Sequence, residues 1–377
     1  LTTLLLSGCG NSGNRDANRT SGDPDAALST QLQYTLDAYD IPAIAVITVD
    51  ENRTVEQAAV GKRRAGASSD VTVTDHWNIG SLTKSMTATL AASMVQQGFL
   101  EWNTTLGELF EAFADTMQPR YRSVTLVELL SHTAGLPVDD PQLWEDFLGS
   151  GESAAMQRYA FTQEALAFES FYTQGDFRYS NINYVIACAM LEKSSGMAFE
   201  TLMQTYLFDP LEMHDAAIGF DTLNDTISGH VWQNGAWVAK APDVIDTDTA
   251  EIVAPAGSRT YVRLNDMKHY LQAHLRAMRG HGETAPIAPE QFGRLHTPVV
   301  AADEDLNYAL GWFTEGDYGL QHTGSNGRWF AAAFVNAQTG LAYFVVVNGY
   351  KPGIEQAVFE TLQLLIARSS TSITQSI

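Results

Sequence analysis

Apolar residues recur along this chain in two different periods, and the changes from one to the other divide it. Over residues 25–40, Leu28, Leu32 and Leu36 return every fourth position just after Pro24, which predicts a helix. Residues 41–49 are apolar and β-branched, and a second strand-like run, residues 54–60, follows the polar turn Asp50-Glu51-Asn52-Arg53. This is the pattern of an antiparallel hairpin. From Ser81 the chain has no Gly or Pro until Gly98, while Leu82, Met86, Leu90 and Met94 repeat every fourth residue, so a mostly buried helix is expected.

Between residues 99 and 299 helices and polar loops dominate. Thr125-Leu126-Val127-Glu128 has the spacing of a capping box. Residues 153–168 and 181–194 read as helices, the second ending near Gly196, and residues 263–278 as another. Asn234-Gly235 within residues 231–238 marks a tight hairpin. Strand character returns over residues 308–314, 319–323, 329–336 and 341–348, and residues 355–368 close as an amphipathic helix. Strands near both ends predict an α/β (α+β) fold: an antiparallel sheet flanked by helices, built from residues 25–98 and 300–372, with residues 99–299 as a large, mainly helical insert. Ligand sites often form at such a junction.

At 377 residues and 45% hydrophobic, the chain can bury a large core. A net charge of −22 argues against nucleic acid as a partner. Leu6-Ser7-Gly8-Cys9 resembles a bacterial lipobox at the end of an apolar export segment, which implies removal of residues 1–8, lipidation of Cys9 and residues 10–24 as a tether. The expected location is then the bacterial cell envelope, with membrane contact only through that anchor. Cys188 lies in an apolar run and reads as core, so the two cysteines form no disulfide framework.

Three short motifs carry the candidate chemistry. Ser81 and Lys84, three residues apart, share one face of the expected helix. A serine hydroxyl attacks only when a base takes its proton, and a lysine among apolar neighbours can be that base or share the task. Amides at the helix start favour a developing oxyanion. Tyr179-Ser180-Asn181 would add a phenol able to move a proton and an amide able to hold a substrate carbonyl and orient Lys84. In His322-Thr323-Gly324, on an expected strand edge, the glycine would let substrate backbone approach, and the Ser325 amide would join that of Ser81 in an oxyanion hole.

With these motifs in this order, the chain resembles the serine β-lactamase superfamily, in the branch of class C β-lactamases, D-alanyl-D-alanine carboxypeptidases, D-aminopeptidases and bacterial esterases. Matching stretches also include Leu130-Ser131-His132-Thr133-Ala134-Gly135-Leu136-Pro137 and Tyr308-Ala309-Leu310-Gly311-Trp312. The resemblance implies that Ser81 is acylated, that Lys84 and Tyr179 move protons, and that Asn181, His322, Thr323, Gly324 and Ser325 line the substrate site, with no metal and no cofactor. His322 stands where class C β-lactamases usually carry Lys, which shifts weight toward peptidase or esterase activity unless neighbours keep it charged or Arg328 supplies the cation. The expected activity is a D,D-carboxypeptidase-like peptidase or amidase acting on a peptide or small molecule. The alternatives are an esterase or class C-like β-lactamase using the same acyl-enzyme, and a non-catalytic protein that keeps the fold.

Overall fold

The computed structural model describes residues 24–137, 147, 151–219, 227–241, 249–281, 286–316 and 319–374. Cys9 and the expected lipobox and tether lie outside the described residues. The strands are β1 (Ala43–Asp50), β2 (Thr54–Gly61), β3 (Trp77–Asn78), β4 (Ala217–Ile218), β5 (Gly229–Gln233), β6 (Ala236–Lys240), β7 (Thr260–Val262), β8 (Val300–Ala301), β9 (Asn307–Tyr308), β10 (Phe313–Glu315), β11 (Gly319–Ser325), β12 (Phe330–Asn336) and β13 (Leu341–Val347). The longer helices are α1 (Pro24–Tyr39), α2 (Thr83–Gln96), α3 (Ala154–Ala167), α4 (Asn181–Ser195), α5 (Leu264–Met278) and α6 (Ile354–Thr374).

The main sheet runs β2-β1-β13-β12-β11-β10-β9-β8, antiparallel throughout, so that strands from the two ends of the chain meet at β1–β13. Side chains along β1 alternate between two cores, as a period of two requires. Ala45, Ile47 and Val49 face a cluster shared with α2 and α5, while Ile44 and Val46 face one shared with α1 and α6. Covering both faces is why residues 41–49 read as an unbroken apolar run. Burial closes over α2 as well, where every residue from Thr83 to Met94 is buried.

Two departures from the expected pattern have local causes. Residues 308–314 do not form one strand but two short ones, β9 and β10, separated by a turn in which Gly311 takes φ +78°. An added Cβ at Gly311 would lie 2.8 Å from the Lys84 carbonyl oxygen, so the turn is packed directly on α2. Ser81 stands in a 3₁₀ turn, Gly80–Leu82, ahead of α2 rather than inside the α-helix. Helices make up about half of the described residues between 99 and 299, which also contribute the β5–β6 hairpin and, with β3, a small sheet ordered β3-β7-β4. That small sheet brings residues 251–260 against the Ser81 turn, where the Ile79 amide donates to the Thr260 carbonyl at 3.2 Å.

Candidate active site

Asn78 fixes the approach to Ser81: its side-chain oxygen accepts from the Gly80 amide at 2.9 Å and its side-chain nitrogen donates to the Ser258 carbonyl at 3.2 Å. Asn326, just past β11, donates to that same carbonyl at 3.2 Å. Glycines then allow three backbones to touch. An added Cβ at Gly324 would fall 2.6 Å from the Ser81 amide nitrogen, and one at Gly257 would fall 2.6 Å from the same atom. One at Gly80 would collide with the Ser325 amide nitrogen. The amides of Ser81 and Ser325 therefore lie side by side, held there by residues without side chains.

Lys84 is fully buried on the first turn of α2. Its Nζ donates to Ser81 Oγ at 3.1 Å, to Asn181 Oδ1 at 2.7 Å and to the Ala256 carbonyl at 2.6 Å. It also lies 4.8 Å from the centre of the Tyr179 ring and 5.7 Å from that of Tyr184. Serine, lysine, asparagine and tyrosine, drawn from positions up to 100 residues apart, thus converge on one nitrogen. Ser180 caps α4, its hydroxyl accepting from the Ile182 amide at 3.2 Å, and this sets Asn181 at the first helical position facing Lys84.

His322 lies on β11 within the same cluster, its ring 6.3 Å from that of Tyr179. β10 pairs only with Gly319, Leu320 and Gln321, so Thr323, Gly324 and Ser325 run on beside the Ser81 turn beyond the end of β10. His322 itself is 2% exposed. Burial, reinforced by the Lys84 ammonium and partly offset by a hydrogen bond to the Thr323 carbonyl, pushes it down to about 3. The neutral ring donates from Nδ1 to that carbonyl at 2.6 Å, leaving Nε2 to accept from the Tyr308 hydroxyl at 3.5 Å. His322 is therefore a neutral ring with both nitrogens engaged, and the branch of the expectation in which neighbours keep it charged does not hold. Arg328 is buried beside a narrow crevice lined also by Lys240, Tyr261, Asn326 and Trp329. One of its nitrogens donates to the Ala241 carbonyl at 3.4 Å.

Some of the machinery carries no signal in the sequence. The Ala256 carbonyl is a third acceptor for Lys84, and any residue type could supply it. Gly257, with φ +132°, is an ordinary glycine until its contact with Ser81 is seen. His132 falls within a matching stretch, but nothing in that stretch tells what its ring does.

An antiparallel sheet packed against helices, with a serine hydroxyl beside a buried amine at its edge, is the arrangement of the penicillin-binding-protein and β-lactamase fold. The chain belongs to the Beta-lactamase family, whose model matches residues 28–367. Among solved structures it is similar to an octameric penicillin-binding protein homologue from Pyrococcus abyssi, at TM-score 0.74 and 20% identity over 92% of this chain and 78% of that one. It is also similar to the D-alanine carboxypeptidase AmpC from Burkholderia cenocepacia, at TM-score 0.69 and 20% identity over 90% and 98% of the two chains. Among curated proteins, Protein flp of Staphylococcus aureus is 20% identical over 88% of this chain and 64% of its own length. The Unguisins hydrolase ungD of Aspergillus violaceofuscus is 25% identical over 54% of this chain and 36% of its own length. The chain spans less than two thirds of the length of these curated relatives.

Proposed function

We propose that the protein is a serine hydrolase working through an acyl-enzyme on Ser81, and that it cleaves peptide or amide bonds in the manner of a D,D-carboxypeptidase. The observation that carries this reading is the Lys84 amine, fully buried and 3.1 Å from Ser81 Oγ. Ser81 Oγ attacks the substrate carbonyl carbon, and its proton passes to Tyr179 as the phenolate favoured by the Lys84 ammonium, or to Lys84 in its neutral amine form. The amides of Ser81 and Ser325 stabilise the resulting oxyanion. The leaving nitrogen takes the proton as the C–N bond breaks, and a water activated by the same groups then cleaves the acyl ester and restores Ser81. Asn181 orients Lys84 and contacts the substrate, whose backbone lies along Thr323 and Gly324.

Amide cleavage is supported by the structural neighbour described as a D-alanine carboxypeptidase, and hydrolysis more broadly by the curated relative described as a hydrolase. A second reading, an esterase, is favoured by the neutral state of His322, which provides no cation for a substrate carboxylate. An envelope location with Cys9 lipidated completes the proposal, and incorporation of labelled fatty acid that Cys9→Ala abolishes would support it. Intact-mass analysis over time with a β-lactam, a D-Ala-D-Ala peptide and a short-chain ester separates the activities. Fast clearance of the peptide adduct is the expected result. Clearance of the ester alone would favour the esterase, clearance of the β-lactam adduct a β-lactamase, and no adduct with any of them would refute the proposal.

A further inference from the structure

His132 sits behind Tyr179, and the substrate chemistry does not use it. It is fully buried, and its backbone takes φ +60°, a left-handed conformation that non-glycine residues adopt at a cost. Its carbonyl accepts from the Arg178 amide at 2.8 Å, and its ring Nδ1 accepts from the Ser180 amide at 3.2 Å. The two residues flanking Tyr179 in the chain are thus both bonded to this one residue. Between those bonds the His132 ring lies on the Tyr179 ring, with centroids 4.4 Å apart and planes 36° apart.

Other contacts point the same way. A backbone amide can only donate, so Nδ1 is unprotonated and the proton resides on Nε2. The Asn183 side-chain nitrogen also lies 3.2 Å from Nδ1. Nε2 has no hydrogen-bond partner among the described residues, and the ring is surrounded by those of Tyr184 at 5.1 Å, Tyr308 at 5.1 Å and Phe177 at 5.9 Å. Burial, with Lys84 and His322 adding to it, holds the ring neutral well below its ordinary range. An unsatisfied buried N–H and a left-handed backbone are two local costs, and neither improves the packing.

Resting on the acyl-enzyme reading above, we infer that His132 is a positioning residue: its carbonyl and Nδ1 fix the backbone on both sides of Tyr179, and its ring face sets the phenol against Lys84. The neighbouring loop belongs to the same device, because the Gly175 amide donates to the Thr133 carbonyl at 2.8 Å. A phenol that exchanges protons with an amine and a serine must be held within a fraction of an ångström, and a shift of about 1 Å costs about 10²-fold in rate.

Two substitutions divide the role. His132→Asn keeps an acceptor near the Nδ1 position and tolerates the left-handed backbone, but removes the ring face. His132→Phe keeps the ring and removes the acceptor. The assay is kcat and KM on a chromogenic ester, with active sites counted by phosphonate titration, over a pH series. The expected result for both variants is a fall in kcat per titrated site of about tenfold or more, with KM little changed and the pH limbs displaced. Wild-type kcat per titrated site and an unmoved pH profile in both variants would overturn the inference. Fluorine NMR of fluorotyrosine-labelled protein, with the Tyr179 signal assigned by Tyr179→Phe, gives a readout independent of activity. The signal should move in both variants, and a signal unchanged in both refutes the positioning role even if the wild type hydrolyses nothing. If His132→Asn does not fold, the Phe variant carries the same readouts.

Discussion

Replacing Gly257 with alanine tests how the nucleophile is held. Gly257 has φ +132°, and its added Cβ would lie 2.5 Å from the Gly80 carbonyl carbon and oxygen and 2.6 Å from the Ser81 amide nitrogen. A relaxed contact of this kind is about 3.5 Å, so one backbone or the other must retreat by roughly 1 Å. All three colliding atoms belong to the turn that carries Ser81, and no flexible side chain is available to yield. A displacement of that size at a reacting hydroxyl costs about 10²-fold in kcat/KM, and the backbone strain costs roughly 1–3 kcal/mol of stability. Gly98→Ala is the matched control, because Gly98 also has a positive φ, +78°, but no atom lies within 4 Å of its added Cβ. It should lose about 1 kcal/mol in urea unfolding and keep wild-type kcat/KM on a chromogenic ester. If the two variants show the same kcat/KM, the backbone clamp on Ser81 is not what sets the rate.

Four further outcomes follow from the same structure. Lys84→Met should reduce kcat/KM by about 10²–10⁴-fold while the protein stays folded, and ester kinetics with near-wild-type rates would remove the amine from the mechanism. His322, held to about 3 when folded but near 6.5 when unfolded, is protonated first in the unfolded chain as pH falls through 6.5, so the folded state loses about 3 kcal/mol at pH 4 relative to pH 7. His322→Asn should lessen this acid sensitivity in urea titrations, and an unchanged pH dependence would contradict the buried, neutral ring. Because that ring stays neutral from pH 5 to 8, anionic and uncharged substrates should share one kcat/KM profile over that range. Glu192→Ala should cost about 3–5 kcal/mol in urea unfolding, since Glu192 accepts from the fully buried Arg158 at 2.6 Å and from the Phe199 amide at 2.9 Å. A loss below about 1 kcal/mol would show that Glu200, 3.4 Å from the same arginine, compensates.

How legible these features were depends on how local their causes are. The β1–β2 hairpin, α2, the Thr125 capping box and the C-terminal strands follow from periodicity and short-range hydrogen bonding, and both cap bonds between Thr125 and Glu128 are present. The division of residues 308–314 into two strands follows from Gly311 packing on α2, a contact with sequence more than 200 residues away. Ser81, Lys84, Tyr179 and Asn181 were readable because each contributes a side chain of distinctive chemistry at a recognisable spacing, and the fold places them together. The Ala256 carbonyl left no trace because it belongs to the backbone. His322 could be found but its state could not, because neutrality comes from tertiary burial beside Lys84 rather than from its own segment.

The most direct measurement is peptide mapping of the protein after reaction with a fluorophosphonate, performed on the wild type and on Ser81→Ala. A single adduct on Ser81, absent from the variant, is the predicted result. A label on any other residue, or one that survives the substitution, would contradict the assignment of the nucleophile and the mechanism built on it.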